Sequence, residues 1–387
     1  MPTTFLARLY ADPSPIMITF LYPARPRSDV GFESQAFSIE EIKKFVLDGQ
    51  KESLGDLRED EKPVMIPLVA SFKAAFLVLF TVACILVQSG RMSNRVLRCY
   101  EPLERREWRN LTSYQQRQYT DAVKCMQCLP ATTSFKAVNT RFDDFQALHI
   151  NLAPEIHLVG HFLPWHRRFI ATFEKALRRE CGYEGALPYW DWTLDYGRNK
   201  SITTSPIFDP LTGFGGFPKG GGCVTDGPFA SYNLSFGPGP VINNHCLTRS
   251  YNKTLAPYLT PAQVANTTKQ PTFELFRIEL EGRPFTETIK IHDAGHRIVG
   301  GEMQDDSSSP GDPVFYLHHA NLDRIWWIWQ KADAIRRVYE ISGRSTVDPP
   351  YRNVTLDFRL KMGTLAELVP IRDVMDTSRA PLCYTYI

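Results

Sequence analysis

A mainly α-helical domain with long loops and few short strands is what the sequence predicts, on three observations. Segments with helical periodicity recur near 113–128, 139–150, 164–180, 284–298 and 313–332, with a short one at 363–368. Two of them open on clear start signals: Pro164 in the first turn of one, and Asp312 as N-cap before Pro313 at N1 of the other. Between 195 and 245 the chain is instead rich in Gly, Pro, Asn and Ser, with Phe214–Gly222 reading FGGFPKGGG, the composition of long surface loops.

The 387 residues, 43% hydrophobic and 22% charged, suffice for one large or two ordinary domains with a packed core. A formal net charge of +2 gives no general attraction to nucleic acid or to an anionic membrane. Without a nucleotide-binding Gly-rich fingerprint either, the expected partner is a small molecule, and oligomeric state stays open.

Residues 1–64, punctuated by Pro13, Pro15, Pro23 and Pro26, are expected to be disordered or absent from the mature protein. Residues 74–87 (AAFLVLFTVACILV) follow Lys73 and suit the apolar core of a signal peptide, so 65–90 reads as a signal peptide beginning at Met65. The competing reading is a type II anchor spanning 66–87, the only way in which a membrane enters the expectation. Both export a catalytic domain at 91–387. Six glycosylation sequons, at Asn110, Asn199, Asn233, Asn252, Asn266 and Asn353, all follow the apolar segment. So do seven cysteines, from which three disulfides and one free thiol are expected in an oxidising compartment. Cys223–Cys246 is the favoured pairing, and Cys125 and Cys128 read as half-cystines rather than a redox or zinc pair.

The nine histidines carry the chemistry. Four fall within 149–166 (His149, His157, His161, His166) and four within 292–319 (His292, His296, His318, His319), leaving His245 alone. His292 and His296, four apart, put two imidazoles on one helix face within reach of one metal. Adjacent helical residues point about 100° apart, so His318 and His319 cannot serve one ion together. Three imidazoles per cluster is the natural count. Imidazoles with no thiolate or carboxylate clearly placed among them favour copper or zinc over magnesium or calcium, and two facing sites suit a redox pair sharing dioxygen.

The runs His157–Arg167 (HLVGHFLPWHR), Leu187–Trp192 (LPYWDW) and Gly311–Arg324 (GDPVFYLHHANLDR) resemble the central domain of tyrosinases and catechol oxidases, the type 3 dicopper family, especially its short secreted fungal members. The resemblance covers about residues 95–387. It implies a four-helix bundle holding two copper ions, one on His149, His157 and His166 and the other on His292, His296 and His319. His318 would then be a non-ligand near the substrate entrance, and His161 would stand behind the ligands. The implied reaction uses O2 to oxidise o-diphenols to o-quinones, with monophenol hydroxylation left open. A haemocyanin-type oxygen carrier uses the same ligands and is the alternative.

Some positions depart from the family pattern. Glu155 stands where many relatives carry a Cys cross-linked to the second histidine, so His157 is expected to keep more rotational freedom. Asp293 replaces the Asn that often follows the first ligand of the second site in monophenol hydroxylases, and Glu281 resembles their water-holding Glu. Asp293 reads either as a base for a phenol proton or as the ion-pair partner of Arg297. The Tyr384-x-Tyr386 pattern resembles a family marker that packs on an N-proximal Arg, with Arg105 and Arg106 as candidates. With nothing after it in this sequence, an enzyme active without proteolysis, or shielded by another subunit, is expected. Asp323, one turn after His319, is expected to pair with Arg167.

Overall fold

A computed structural model describes Cys99–Ile387 apart from Ser231 and Arg283, together with three strands nearer the N-terminus. The chain divides into two units, Met1–Asn94 and Arg95–Ile387. In the first, β1 (Arg8–Leu9), β2 (Met17–Pro23) and β3 (Phe32–Ser38) form an antiparallel sheet in that order. The segment 65–90 and most of 1–64 lie outside the described residues, and with them the signal-peptide, anchor and disorder expectations.

The second unit is helical at its centre. Its long helices are α1 (Ser113–Cys128), α2 (Arg141–Ile156) and α3 (Phe162–Glu180). Then come α4 (Pro261–Thr268), α5 (Phe273–Glu281), α6 (Ile291–Val299), α7 (Val314–Ala332) and the single turn α8 (Ala334–Arg337). The described strands of this unit are all short. β4 (Leu103–Arg105) pairs in parallel with β11 (Tyr384–Tyr386), while β5 (Gly222–Cys223) with β8 (Thr248–Arg249), β6 (Asn233–Phe236) with β7 (Ile242–Cys246), and β9 (Arg359–Leu360) with β10 (Val369–Pro370) pair antiparallel.

Local sequence explains most boundaries. Thr112 and Thr140 close capping boxes at the starts of α1 and α2. The Asp312 carboxylate accepts from the Val314 amide at 3.0 Å at the start of α7, and Arg249 holds the same carboxylate through Nε and Nη2. The helix expected over 284–298 needs correction: α5 ends at Glu281 on Gly282, whose φ of 98° suits glycine, and α6 begins only at Ile291. The short helix expected at 363–368 is a turn. α2 runs to Ile156, beyond the expected 150, and accommodates Pro154 in its last turn.

Helices α2, α3, α6 and α7 form the bundle, with α3 packed along α7 and flanked by α2, and α6 lying against α7. Aromatic rings fill the seam: Phe173 stacks on Tyr316 with centroids 3.6 Å apart, and Phe145 meets Phe169 and Phe173 edge-on. Buried charge locks α3 to α7. The Asp323 carboxylate accepts from Arg167 Nε and from both Tyr384 and Tyr386 hydroxyls, each at 2.5 Å. Arg105 lies 3.4 Å over the Tyr384 ring, donates to the Tyr386 hydroxyl at 3.0 Å and pairs with Glu174 at 2.6 Å. The expected Asp323–Arg167 pair is therefore present, and Arg105 is the arginine that meets the Tyr-x-Tyr strand. Three disulfides staple the unit, Cys99–Cys383, Cys125–Cys181 and the favoured Cys223–Cys246; Cys125 is a half-cystine as expected, but Cys128 is not, being exposed and free.

Candidate dicopper centre

Each bundle helix brings histidines to the middle of the fold. His149 lies on α2, His157 caps its end, and His166 lies on α3. His292 and His296 share one face of α6, and His319 lies on α7. His149, His157 and His166 form one group, and His292, His296 and His319 another; within each, the ligand-capable atoms lie within 4.8 Å of one another. Neither group includes a carboxylate or thiol.

The outward nitrogens are already occupied. Nδ1 of His149, His157, His166 and His296 meets the carbonyls of Ser307 (2.7 Å), Ala153, Phe162 and Met303 (2.9 Å each). Nδ1 of His292 faces the Asp293 carboxylate at 3.1 Å. Carbonyls and carboxylates only accept, so these five Nδ1 atoms carry the proton and leave Nε2 bare. The bare atoms converge: Nε2 of His149 and His166 lie 3.4 Å apart, those of His296 and His319 lie 3.0 Å apart, and His292 Nε2 is buried without a partner. Lone pairs pressed together in this way suit a cation at their focus.

Burial keeps the rings neutral. It pushes the His157 imidazole down to about 4 and those of His149, His166, His296 and His319 well below the usual range, so all are ready to ligate at neutral pH. Neutral nitrogen donors alone match copper. The two groups also face each other: the His166 and His319 rings stack at 4.6 Å, and His157 and His292 have centroids 6.3 Å apart.

His157 and His292, one from each group, open onto a cavity of about 450 Å³ lined also by Ala153, Pro154, Leu158, Glu281, Pro284, Asp293, Arg297, Asp306 and Ser307. Glu281 is buried, with its oxygens accepting from the Leu158 amide and Arg277 Nη1 at 2.5 Å each. Burial raises its carboxyl pKa against the opposing pull of Arg277. Asp293 faces His292, and the alternative pairing with Arg297 does not form.

The expected place of His318 at the substrate entrance needs correction. Its ring is fully buried, away from the cavity lining, with Nδ1 accepting from Trp192 Nε1 at 3.3 Å and Nε2 donating to the His292 carbonyl at 3.1 Å. The physical reason is Gly295: a Cβ there would run into the His318 ring, so the missing side chain makes its berth. A glycine inside a helix costs about 1 kcal/mol relative to alanine, which is the signal that it marks a close approach. His161 stacks on Phe358 at 4.3 Å and donates from Nε2 to the Glu155 carbonyl. Glu155 itself pairs with Lys361 at the surface, so Ala153, together with the Glu281–Leu158 bond, holds the His157 turn. Asp306, Gly295 and Trp192 were not picked out from the sequence as parts of the site.

Two three-histidine groups facing each other across a four-helix bundle define a type 3 dicopper centre. Residues 139–332 match the common central domain of tyrosinase. The chain is 36% identical to the tyrosinase-like protein phomQ1' of Diaporthe leptostromiformis over 329 residues, 76% of this chain and 82% of that protein. It is 35% identical to Tyrosinase ustQ of Aspergillus flavus over 353 residues, 86% of this chain and 93% of that protein. The fold resembles that of a variant polyphenol oxidase from Thermothelomyces thermophila at a TM-score of 0.69 and 31% identity, covering 79% and 94% of the two chains. The chain belongs to the tyrosinase family and is a copper-dependent oxidoreductase that acts on small phenolic or catecholic substrates with O2.

Proposed function

We propose that this chain oxidises o-diphenols to o-quinones, with one copper on His149, His157 and His166 and the other on His292, His296 and His319. The observation that supports this most directly is the cavity onto which one ligand of each triad opens. When bound, the copper pair takes the electrons from the diphenol and delivers them to O2. Two diphenols then yield two quinones while one O2 becomes two waters.

The protein's own groups bind and orient the ring. A flat substrate enters between His157 and His292, and Asp293 stands beside it to accept a phenol proton. Glu281, held by Arg277 and Leu158, fixes the turn that carries His157 and closes the cavity floor. His318 supports His292 from behind through the carbonyl of that residue. Copper analysis combined with oxygen uptake on 4-methylcatechol tests the reading: two coppers per chain with quinone formation are expected. Reversible O2 binding without quinone, or full activity with zinc and no copper, would overturn it.

We also propose that the catalytic unit is exported. Three disulfides support this, as does the exposure of all six sequon asparagines. Among the described residues no helix is long and apolar enough to cross a membrane.

A further inference from the structure

We propose that Asp306 makes the cavity selective for phenols and catechols with an ammonium-bearing tail over those with a carboxylate. This rests on the cavity being the substrate site, as the proposed function has it.

Three acids line the cavity, and two are already committed. Glu281 is engaged by Arg277 and the Leu158 amide, and Asp293 faces the His292 Nδ1 proton. Asp306 lies in the lining, where partial burial raises its carboxyl pKa against the pull of His292 and Arg297, and among the described residues no hydrogen bond or ion pair holds its carboxylate. Its backbone is nonetheless anchored on both sides. The Asp305 carboxylate accepts from the amides of Ser307 and Ser308 at 2.9 and 2.8 Å, and the Ser307 carbonyl accepts from His149. A free carboxylate on a fixed loop is built to meet a ligand rather than to hold the fold.

The neighbouring charges set the sign. Arg297 is the one cation among the described lining residues, and it forms no ion pair there. Among the described lining residues, with Glu281 countered by Arg277, Asp293 and Asp306 outweigh Arg297. A ring oriented by its hydroxyls between His157 and His292 directs its opposite substituent toward the cavity mouth. An ammonium there gains an ion pair with Asp306, whereas a carboxylate meets like charge. One partly solvated pair changes KM by about two- to fivefold, and salt weakens the effect.

The test uses the copper-loaded protein at pH 7 and low ionic strength with dopamine, 3,4-dihydroxyphenylacetate and neutral 4-methylcatechol as reference. Wild type should show the lowest KM for dopamine and the highest for the acid. Asp306→Asn should narrow the acid-to-amine KM ratio by about fivefold or more, and Asp306→Glu should restore it. The metal charge is common to all these proteins, so the change in ratio isolates the carboxylate. A ratio unchanged in Asp306→Asn, including one in which all three substrates weaken alike, would overturn the proposal, as would a wild-type preference for the acid. Anaerobic titration calorimetry with tyramine and 4-hydroxyphenylacetate, which keep a ring hydroxyl to orient them, gives a second readout. If 4-methylcatechol is not oxidised, the functional reading fails while calorimetry still decides the role of Asp306: tighter binding of the amine that Asp306→Asn removes upholds it, and equal binding of the two ligands refutes it.

Discussion

His157 and His292 are the members of their triads that reach the cavity, yet the groups behind them differ in charge. The Nδ1 proton of His157 ends on the neutral Ala153 carbonyl one helical turn back, whereas that of His292 faces the Asp293 carboxylate. The buried ligands differ far less. His149, His166 and His296 all lean on backbone carbonyls, and His319 is held by stacking on Phe315 at 4.1 Å and on His166. A carboxylate behind an imidazole makes it a more basic ligand than a carbonyl does. The lesson is a division of labour: backbone carbonyls and ring stacking fix the inner ligands, while the cavity-facing ligand sets the electronic difference between the sites.

Removing a ligand should have the greatest effect. His319→Ala should reduce copper from two ions per chain to one and abolish catechol oxidation. His318→Ala should keep both coppers while losing about 2–3 kcal/mol of stability, because it empties a buried berth and strands the Trp192 indole donor. Metal analysis of the two variants decides. Equal copper loss would place His318 on the metal and undo the assignment of the second triad.

Next in size is the scaffold that the triads share. Asp323→Asn leaves Arg167 and Arg105 buried without their full countercharge and should cost about 3–5 kcal/mol. Arg167 follows a ligand of the first site and Asp323 lies one turn beyond a ligand of the second, so both sites should suffer together. Thermal unfolding of the copper-free variant, followed by copper titration, checks this. Selective loss of one copper would show that the lock serves only one triad.

The parts of this centre that were legible in the sequence are those where chemistry forces repetition at short spacing. A metal needs several like donors, so His292 and His296 announce themselves at helical spacing, and Pro164 and Pro313 mark the helix starts nearby. Helices α4 and α5 were not expected at all, and α6 was expected to start at 284 rather than Ile291, because the residues after the stops at Gly282 and Pro284 still read as helix-compatible. His318 shows a different limit. Spacing says that only one of two adjacent histidines can meet the ion, but where the other goes depends on a gap at Gly295 and a donor at Trp192, both supplied by distant chain. Asp306 reaches the cavity because the neighbouring Ser307 carbonyl is drawn onto His149, a contact between segments 158 residues apart.

Acid should act on both sites chiefly through burial. The folded pKa of His318 is pushed down to about 3, and those of His157 and His161 to about 4, whereas an unfolded chain protonates its histidines near 6.5. Between these values the unfolded state binds more protons, so stability is fully present above pH 6.5 and is lost as pH falls toward 3–4. His318 alone contributes on the order of 5 kcal/mol over that window. The melting temperature of copper-free protein should therefore fall steadily from pH 6.5 to 4, and a flat profile would mean that these rings are not desolvated.

The smallest expected effect probes the asymmetry most directly. Asp293→Asn substitutes a neutral amide oxygen for the carboxylate behind His292, making that ligand resemble His157. Copper affinity at the second site should drop about tenfold with the first site unchanged, the lower end of what losing a group behind a ligand costs. The same change supplies the residue that the family associates with phenol hydroxylation, so monophenol turnover should rise relative to diphenol turnover. Sequential copper binding measured alongside the two turnover rates separates these effects. A lower affinity with an unchanged ratio would leave Asp293 as a positioning residue for His292. A changed ratio with unaltered affinity would make it a proton acceptor that acts on the substrate directly.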